Sequence, residues 1–228
     1  MHILPNDGLY ITRKRKKWKF AHFDSYANCF NFEREDEPTH IKKSLKKFFI
    51  KDQPLVLEIA AGNAQFSLEL ARRHPELNFI AIDIKSDRLY TSAKKALQEE
   101  IDNIAFLRMP LTELGRVFAR RSVDLIWLTF PDPFPRERSA KRRLTHPRFL
   151  AEYRKLLKPG GLLKYKTDNR ELFLWSLEQL VQEKWQLEEL SFDLHDSNLP
   201  EEYKIKTYYE EGFTAQGIPT NIVTSRAD

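Results

Sequence analysis

The segment that decides the fold is LVLEIAAGNA, residues 55–64, in which an apolar run leads through Glu58 into a turn of small residues. Phe66, Leu68 and Leu70 follow at roughly helical spacing. This order predicts a strand, a tight turn and a helix. Small residues in such a turn let a ligand approach the backbone closely, so we expect a binding site there.

The same alternation of strand and helix continues along the chain. Residues 79–82 form an unbroken apolar run that ends at Asp83, which is typical of a strand buried on both faces of a parallel sheet. We expect further strands at 104–107, 123–130 and 162–165, an edge pair near 187–194 and 219–224, and helices at 86–100 (capped by Ser86), from Pro147 to a stop at 158–161, and at 170–183. The predicted fold class is α/β, with a doubly wound, mostly parallel sheet of about seven strands and an antiparallel edge pair.

Residues 1–53 differ from the rest of the chain. They carry many charges and scattered aromatic residues with little periodicity, and no element is predicted there. Because disordered segments are usually poor in aromatic residues, we expect an extension that is ordered by packing on the domain or by a partner. The predicted organisation is a basic N-terminal extension, 1–53, and one domain, 54–228.

Composition limits the compartment and the cofactor chemistry. No apolar run approaches the ~20 residues that span a bilayer, so no membrane partner is expected. The N-terminus carries charges where a secretory signal has its apolar stretch, and the single cysteine, Cys29, cannot form an internal disulfide, so we expect a reducing, cytoplasmic compartment. His and Cys residues form no close cluster of ligand spacing, so no metal site is predicted.

Basic residues are concentrated in two clusters, although the formal net charge is only +5. Five of the six basic residues in 13–19 are consecutive, and the sixth follows Trp18. The second cluster comprises Arg136, Arg138, Lys141, Arg142 and Arg143. Each alone could be a solvated surface. Two such clusters in one small chain favour a polyanionic partner.

Asp83 is a candidate contact for a nucleoside. A carboxylate at the end of the second strand can accept hydrogen bonds from both hydroxyls of a ribose. The alternative is a plain turn with a solvated Asp83. Ala60 and Ala64 place methyl groups where a pyrophosphate needs close backbone N–H groups, which disfavours a dinucleotide.

The loop FPDPFP, residues 130–135, is the strongest local signal. Its three prolines stiffen a connection at a strand end, where Asp132 could serve as a catalytic carboxylate and Phe134 could stack on a flat base. The alternative is a rigid turn without chemistry. Two further polar groups follow strands or precede helices: KTDN at 166–169, in which Asp168 could merely cap the next helix, and TYYE at 207–210.

Together these motifs resemble the bacterial tRNA (guanine-N7)-methyltransferase family, which carries a Glu-x-Gly-x-Gly-x-Gly turn, a Pro-Asp-Pro-Trp-like loop followed by Lys-Arg-Arg, a Thr-Asp pair and a C-terminal Thr-x-x-Glu. The resemblance spans residues 55–217. It implies a Rossmann-like class I methyltransferase domain, S-adenosylmethionine as cofactor, and methylation of N7 of a guanine in the tRNA variable loop. Independently of the resemblance, we expect a monomer or homodimer.

The resemblance also implies roles for individual residues. Asp132 resembles the catalytic residue and a cofactor contact. The other expected cofactor contacts are Glu58, Ala60, Gly62, Asp83 and Pro110, and the expected substrate contacts are Phe134, Arg136, Asp168, Thr207 and Glu210.

The chain departs from the family pattern at three positions. Ala60 and Ala64 replace glycines, and Pro110 replaces an aspartate thought to contact the adenine. A proline side chain cannot accept a hydrogen bond, so adenine recognition would depend on backbone groups or on apolar contacts such as Met109 and Leu111. Two alternatives therefore stay open: a methyltransferase for another RNA or a small amine, and a non-catalytic RNA-binding protein with an eroded cofactor site.

Overall fold

A computed structural model describes residues 13–32 and 38–227 of the chain. The strands in these ranges are β1 (Cys29–Asn31), β2 (Leu55–Ile59), β3 (Asn78–Asp83), β4 (Ile104–Arg108), β5 (Val123–Thr129), β6 (Leu157–Thr167), β7 (Trp185–Ser191) and β8 (Asn221–Ala227). The helices are α1 (Arg13–His22), α2 (Pro38–Phe48), α3 (Gln65–Arg73), α4 (Ser86–Gln98), α5 (Leu114–Val117), α6 (Pro147–Leu156), α7 (Arg170–Gln182) and α8 (Tyr208–Ala215). None of these described helices has the length and apolar content needed to cross a membrane.

The described strands form one sheet in the order β1-β4-β3-β2-β5-β6-β8-β7. All neighbours from β1 to β6 are parallel, and β8 is antiparallel to both β6 and β7. From β2 the chain adds β3 and β4 on one side and then returns to add β5 and β6 on the other. The β2/β5 boundary is therefore the switch point, beside which ligands bind in such sheets. The predicted doubly wound sheet with an antiparallel edge pair is confirmed, with one strand more than predicted.

Helices cover both faces of the sheet, which explains the apolar runs. On one face Leu57 packs in the same cluster as Ile41 of α2. On the other face Val56 packs with Phe66 of α3. All six residues of β3 are buried. The four central residues of β3, 79–82, lie between two helical layers and are all apolar, so the strand shows no polar alternation.

The additional strand, β1, lies in the N-terminal extension. It pairs with β4 in parallel, and the Asn28 side chain donates a hydrogen bond to the carbonyl of Ala93 at 3.0 Å. Phe23 and Phe30 are buried against the domain. The prediction of no element in residues 1–53 is wrong, because α1, β1 and α2 all lie there. The three residues of β1 are too few to show periodicity. In α2 the buried residues Ile41 and Leu45 are four positions apart, and this helical spacing was the available signal.

Several local predictions need correction. Ser86 does not cap α4: Lys85 holds the N-cap position, and the buried Ser86 hydroxyl has no hydrogen-bond partner among the described residues. Helix α6 ends at Leu156, and residues 158–161, expected to stop it, belong to the start of β6 because Leu157 already pairs with β5. Helix α7 is capped by the Asn169 side chain, which accepts the N–H of Leu172 at 2.8 Å, so Asp168 is not the cap.

Candidate active site

A cavity of about 450 Å³ opens at the carboxyl ends of the central strands. Its volume lies in the range of small-molecule sites. Residues from the ends of β2, β3, β5 and β6 line it, and α8 contributes one wall. The lining includes Glu58, Ala60, Gly62, Asp83, Leu111, Asp132, Asp168, Thr207 and Phe213. Acidic side chains from separate strand ends therefore meet around one space at the switch point.

The turn between β2 and α3 is held in left-handed backbone conformations. The φ angles are +58° at Ala60, +58° at Gly62 and +54° at Ala64. Glycine adopts this region freely, whereas an L-residue with a Cβ is strained there by about 1–2 kcal/mol. The two alanines that depart from the family pattern thus keep the glycine backbone geometry at an energetic cost.

This geometry leads to a prediction about stability. A Cβ added at Gly62 would meet no atom within 4 Å, so Gly62→Ala introduces backbone strain without a clash. We expect Gly62→Ala to lower the free energy of unfolding by about 1 kcal/mol. The reverse change, Ala60→Gly, should raise it by up to about 1 kcal/mol, because relief of strain exceeds the entropy gained by the unfolded chain. Urea denaturation measures both changes in the free energy of unfolding. If the two variants changed it in the same direction, the turn would not be strained.

Glu58 lies beneath this turn and is almost completely buried. One of its oxygens accepts hydrogen bonds from the N–H and the hydroxyl of Ser67, at 3.2 and 2.6 Å, and the other accepts from the Thr129 hydroxyl at 2.6 Å. Burial raises the pKa of Glu58, and these three donors oppose that shift. Glu58 thereby ties β2 to α3 and β5 as well as lining the cavity.

Asp83 ends β3 and faces the cavity. Its two oxygens accept the backbone N–H groups of Gly62 and Lys85, each at 2.8 Å. Burial raises the pKa of Asp83, and the two backbone donors oppose the increase. Each carboxylate oxygen can accept more than one hydrogen bond, so acceptor capacity remains for ligand hydroxyls.

The loop 130–135 carries Asp132 to the rim of the cavity. Asp132 is exposed and lies between Phe130 and Phe134, whose φ angles are +48° and +42°. Left-handed backbone at non-glycine residues on both sides is typical of a loop whose shape serves a site. The sequence motif and the cavity thus agree on Asp132.

Four expected contacts lie outside the cavity lining: Phe134, Arg136, Pro110 and Glu210. Phe134 is covered by the guanidinium of Arg142, which lies 4.4 Å from the ring centre, and Arg136 is exposed to solvent. Pro110 is replaced in the lining by the next residue, Leu111, which offers the apolar contact that the sequence left open. In this structure Phe134, Arg136 and Pro110 do not reach the cavity.

The C-terminal motif divides into two roles. Thr207 lines the cavity and caps α8, accepting the N–H of Glu210 at 3.2 Å, while Glu210 accepts the N–H of Thr207 at 3.2 Å. The Glu210 carboxylate is fully buried and also contacts Lys166 at 2.8 Å and His195 at 2.9 Å. The Glu210 side chain therefore does not line the cavity in this structure, and its role as a substrate contact stays a prediction.

Lys166 is a residue that the sequence reading missed. Its side chain has no exposed surface, and its amine donates to the carbonyls of Tyr203 and Ile205 and to Glu210, all within 2.8–3.0 Å. Burial lowers the pKa of Lys166, and Glu210 opposes that shift. A lysine directly before the Thr-Asp pair, within a strand of the parallel sheet, was the available signal. No cluster of three or more metal-ligating side chains occurs in residues 13–32 and 38–227.

Comparison with known proteins is consistent with this geometry. A family model described as "Putative methyltransferase" matches residues 52–221. A tRNA (guanine-N(7)-)-methyltransferase of Lactiplantibacillus plantarum is 38% identical over 182 residues, which are 80% of this chain and 85% of the relative. Proteins of the same name in Cytophaga hutchinsonii and Bacteroides thetaiotaomicron are 37% and 36% identical, covering 91% and 93% of this chain and 95% and 86% of theirs.

Solved structures share the fold at much lower identity. The 16S rRNA methyltransferase KamB aligns with a TM-score of 0.62 and 15% identity over 80% of this chain and 92% of its own. A 16S rRNA (adenine(1408)-N(1))-methyltransferase variant from Catenulisporales acidiphilia, solved with its cosubstrate S-adenosylmethionine, aligns with a TM-score of 0.53 and 13% identity over 83% of this chain and 89% of its own. At these identities the likeness concerns the fold alone.

Proposed function

The chain belongs to the tRNA (guanine-N(7)-)-methyltransferase family, and on that premise we propose that it transfers a methyl group from S-adenosylmethionine to N7 of a guanine in the tRNA variable loop. One observation carries the proposal: Asp83 and Asp132, from different strand ends, line the same cavity as the left-handed β2–α3 turn. The side of the cavity at Asp83 suits a nucleoside, and the side at Asp132 suits a base.

The residues around the turn fit this cofactor. Asp83 retains acceptor capacity for ribose hydroxyls, the space around Gly62 is open, and Leu111 provides an apolar contact for adenine. Glu58 would support the turn from below through Ser67 and Thr129. When bound, S-adenosylmethionine supplies a methyl group on a positively charged sulfur.

Asp132 is proposed to hold the guanine. Its carboxylate can accept hydrogen bonds from the N1 and N2 donors, which adenine does not present in the same way. Guanine N7 has a lone pair and no hydrogen, so no side chain has to remove a proton before attack. The base becomes cationic as it is methylated, and a nearby carboxylate favours that charge. Alignment of the reacting atoms can contribute about 7–11 kcal/mol. Asp168 and Thr207 complete the proposed base-binding wall.

Purified chain, labelled methyl donor and unmodified tRNA provide the test, followed by digestion to nucleosides. The expected product is labelled 7-methylguanosine. Label in another nucleoside would support a different RNA substrate. Absence of cofactor binding in calorimetry would instead support a non-catalytic RNA-binding protein.

We propose the division into a basic extension, 1–53, and a methyltransferase domain, 54–228, with the extension bringing charge to the site. Helix α4 begins at the cavity, where Lys85 and Arg88 line it, and α1 packs on α4 through a hydrogen bond from Lys19 to Thr91 at 2.8 Å. A phosphate backbone crossing the rim would therefore meet α1.

The proposed enzyme acts in the cytoplasm as a monomer or homodimer. Sedimentation distinguishes the two oligomeric states.

Changing exposed charges on α1 should reduce the salt dependence of tRNA binding. The variant combines Lys14→Gln, Lys16→Gln and Lys17→Gln, all at exposed positions. Each lost phosphate contact lowers the slope of log affinity against log salt by about 0.7–0.9. Filter binding at several salt concentrations measures the slope.

A control removes three basic residues at the end of the sheet opposite the cavity, by the changes Arg120→Gln, Lys155→Gln and Lys158→Gln. These residues lie near the amino end of β5 and the start of β6. The control should leave the slope unchanged. Equal slopes for wild type, variant and control would remove α1 from the RNA interface.

A further inference from the structure

We propose that Arg143 is a positioning residue that holds the loop 130–135 in the shape that presents Asp132, with Trp175 as its support. This inference rests on the proposed function, since it assigns Arg143 a role through Asp132. It separates Arg143 from the other basic residues of its cluster, which the sequence reading grouped together as phosphate contacts.

The guanidinium of Arg143 contacts the loop directly. Its Nε donates to the carbonyl oxygens of Pro133 at 3.2 Å and of Phe134 at 3.4 Å, and one terminal nitrogen donates to Phe134 at 3.2 Å. The carbon at the centre of the guanidinium lies 4.5 Å from the ring centre of Trp175, on α7. Arg143 therefore bridges the loop and a helix that packs on the sheet.

The loop needs a donor from outside. Its three prolines have no N–H, so the loop has few donors of its own with which to hold its backbone. One end is fixed by a hydrogen bond from the N–H of Phe130 to the carbonyl of Lys166 at 2.9 Å. The other end, where Phe134 has a strained left-handed φ, is contacted by Arg143. Asp132 lies between these two anchors.

An arginine suits this position better than a lysine. The planar guanidinium can donate to two carbonyls while one face stacks on an aromatic ring, whereas an ammonium is a point donor. Arg143 is only partly exposed, in contrast to Arg138 and Lys141 in the same cluster, which are exposed to solvent. The exposed members of the cluster are therefore accessible to a phosphate backbone, whereas Arg143 forms its contacts within the fold.

The kinetic test compares Arg143→Ala and Arg143→Lys with Lys141→Ala, an exposed member of the same cluster, and with the control Lys155→Ala near the start of β6. Both Arg143 variants should lower kcat, Arg143→Ala by about 10- to 100-fold, because a displacement of about 1 Å at a reacting group can cost that much. The KM for tRNA should stay within about threefold of wild type. The slope of log affinity against log salt should be unchanged. Lys141→Ala should mainly raise the KM for tRNA and reduce the salt slope, whereas Lys155→Ala should leave kcat, the KM and the slope unchanged.

The support is tested with Trp175→Phe and Trp175→Ala. Phenylalanine keeps an aromatic face for the guanidinium and should retain most of kcat, whereas alanine should reproduce the loss seen in Arg143→Ala. Circular dichroism confirms that each variant is folded. Equal losses in Trp175→Phe and Trp175→Ala would overturn the role of the ring.

A second readout does not depend on methyl transfer. Trypsin cleaves after Arg136 and Arg138, directly beyond the loop, and cleavage requires local opening. Without cofactor or tRNA, Arg143→Ala and Trp175→Ala should be cleaved there about tenfold faster than wild type. Other sites should be unchanged, apart from the site at residue 143 that Arg143→Ala removes. If wild type fails to methylate tRNA but this pattern appears, the proposed function falls and the positioning role stands.

Two outcomes would overturn the positioning role. In one, Arg143→Ala keeps its kcat but binds tRNA weakly with a reduced salt slope, which would make Arg143 a phosphate contact. In the other, trypsin cleavage increases throughout the chain, which would show a global loss of stability instead of a local one.

Discussion

Asp132→Ala is expected to lose about 10²- to 10³-fold in kcat while tRNA affinity stays within about threefold of wild type. The carboxylate lies at the rim of the cavity and contributes where positive charge develops on the base, and loss of one such electrostatic group typically costs this much. Single-turnover methylation and filter binding measure the two quantities separately.

Glu137→Ala is the matched control for Asp132→Ala. Glu137 is an exposed carboxylate five residues further along the chain, outside the cavity lining, and its removal should leave kcat unchanged. If Asp132→Ala lost methyl transfer and tRNA affinity to the same extent, Asp132 would be a binding residue and the assigned catalytic role would be wrong.

Lys166→Met is expected to lower the free energy of unfolding by about 3–5 kcal/mol. The substitution leaves the fully buried Glu210 carboxylate without its lysine partner and in contact only with His195, and breaking one side of a buried pair costs this much. Adding Glu210→Gln should recover at least about 2 kcal/mol, because glutamine is neutral and its oxygen can still accept the N–H of Thr207. Urea denaturation of the two single variants and the double variant gives the coupling energy.

An exposed ion pair provides the control for this experiment. Lys158 contacts Asp124 at 2.8 Å, but both side chains are partly open to solvent, so Lys158→Met should cost less than about 1 kcal/mol. A cost for Lys166→Met as small as that for Lys158→Met would mean that the buried pair contributes little and that the contact with His195 is enough for Glu210.

The Lys166 pair also matters for the site. Glu210 caps α8 through Thr207, and Thr207 and Phe213 form one wall of the cavity. Lys166 in turn donates to the carbonyls of Tyr203 and Ile205 in the segment before α8. Loss of the pair therefore removes contacts that hold the segment 203–210, which carries this wall, in place. The Thr-x-x-Glu motif thus has a partly structural role here.

What the amino-acid order determined by itself is local. Apolar runs, small-residue turns and helical spacing follow from neighbours within a few residues, so the doubly wound sheet and the strand-end positions of Asp83 and Asp132 could be predicted. Parallel strands bring their carboxyl ends to one edge, which is why the cavity could be expected there.

Only the tertiary structure decided how the site is supported. The partner of Lys166 lies 44 residues away, and Arg143 meets Trp175 across 32 residues. No local pattern encodes such distances. The strained φ angles of Ala60, Ala64 and Phe134 likewise persist because surrounding packing holds them, against the preference of each residue for other backbone conformations. Propensity acts over a turn of helix or a pair of strand residues, whereas burial of Glu210 and the contacts of Arg143 depend on which elements the completed sheet brings together.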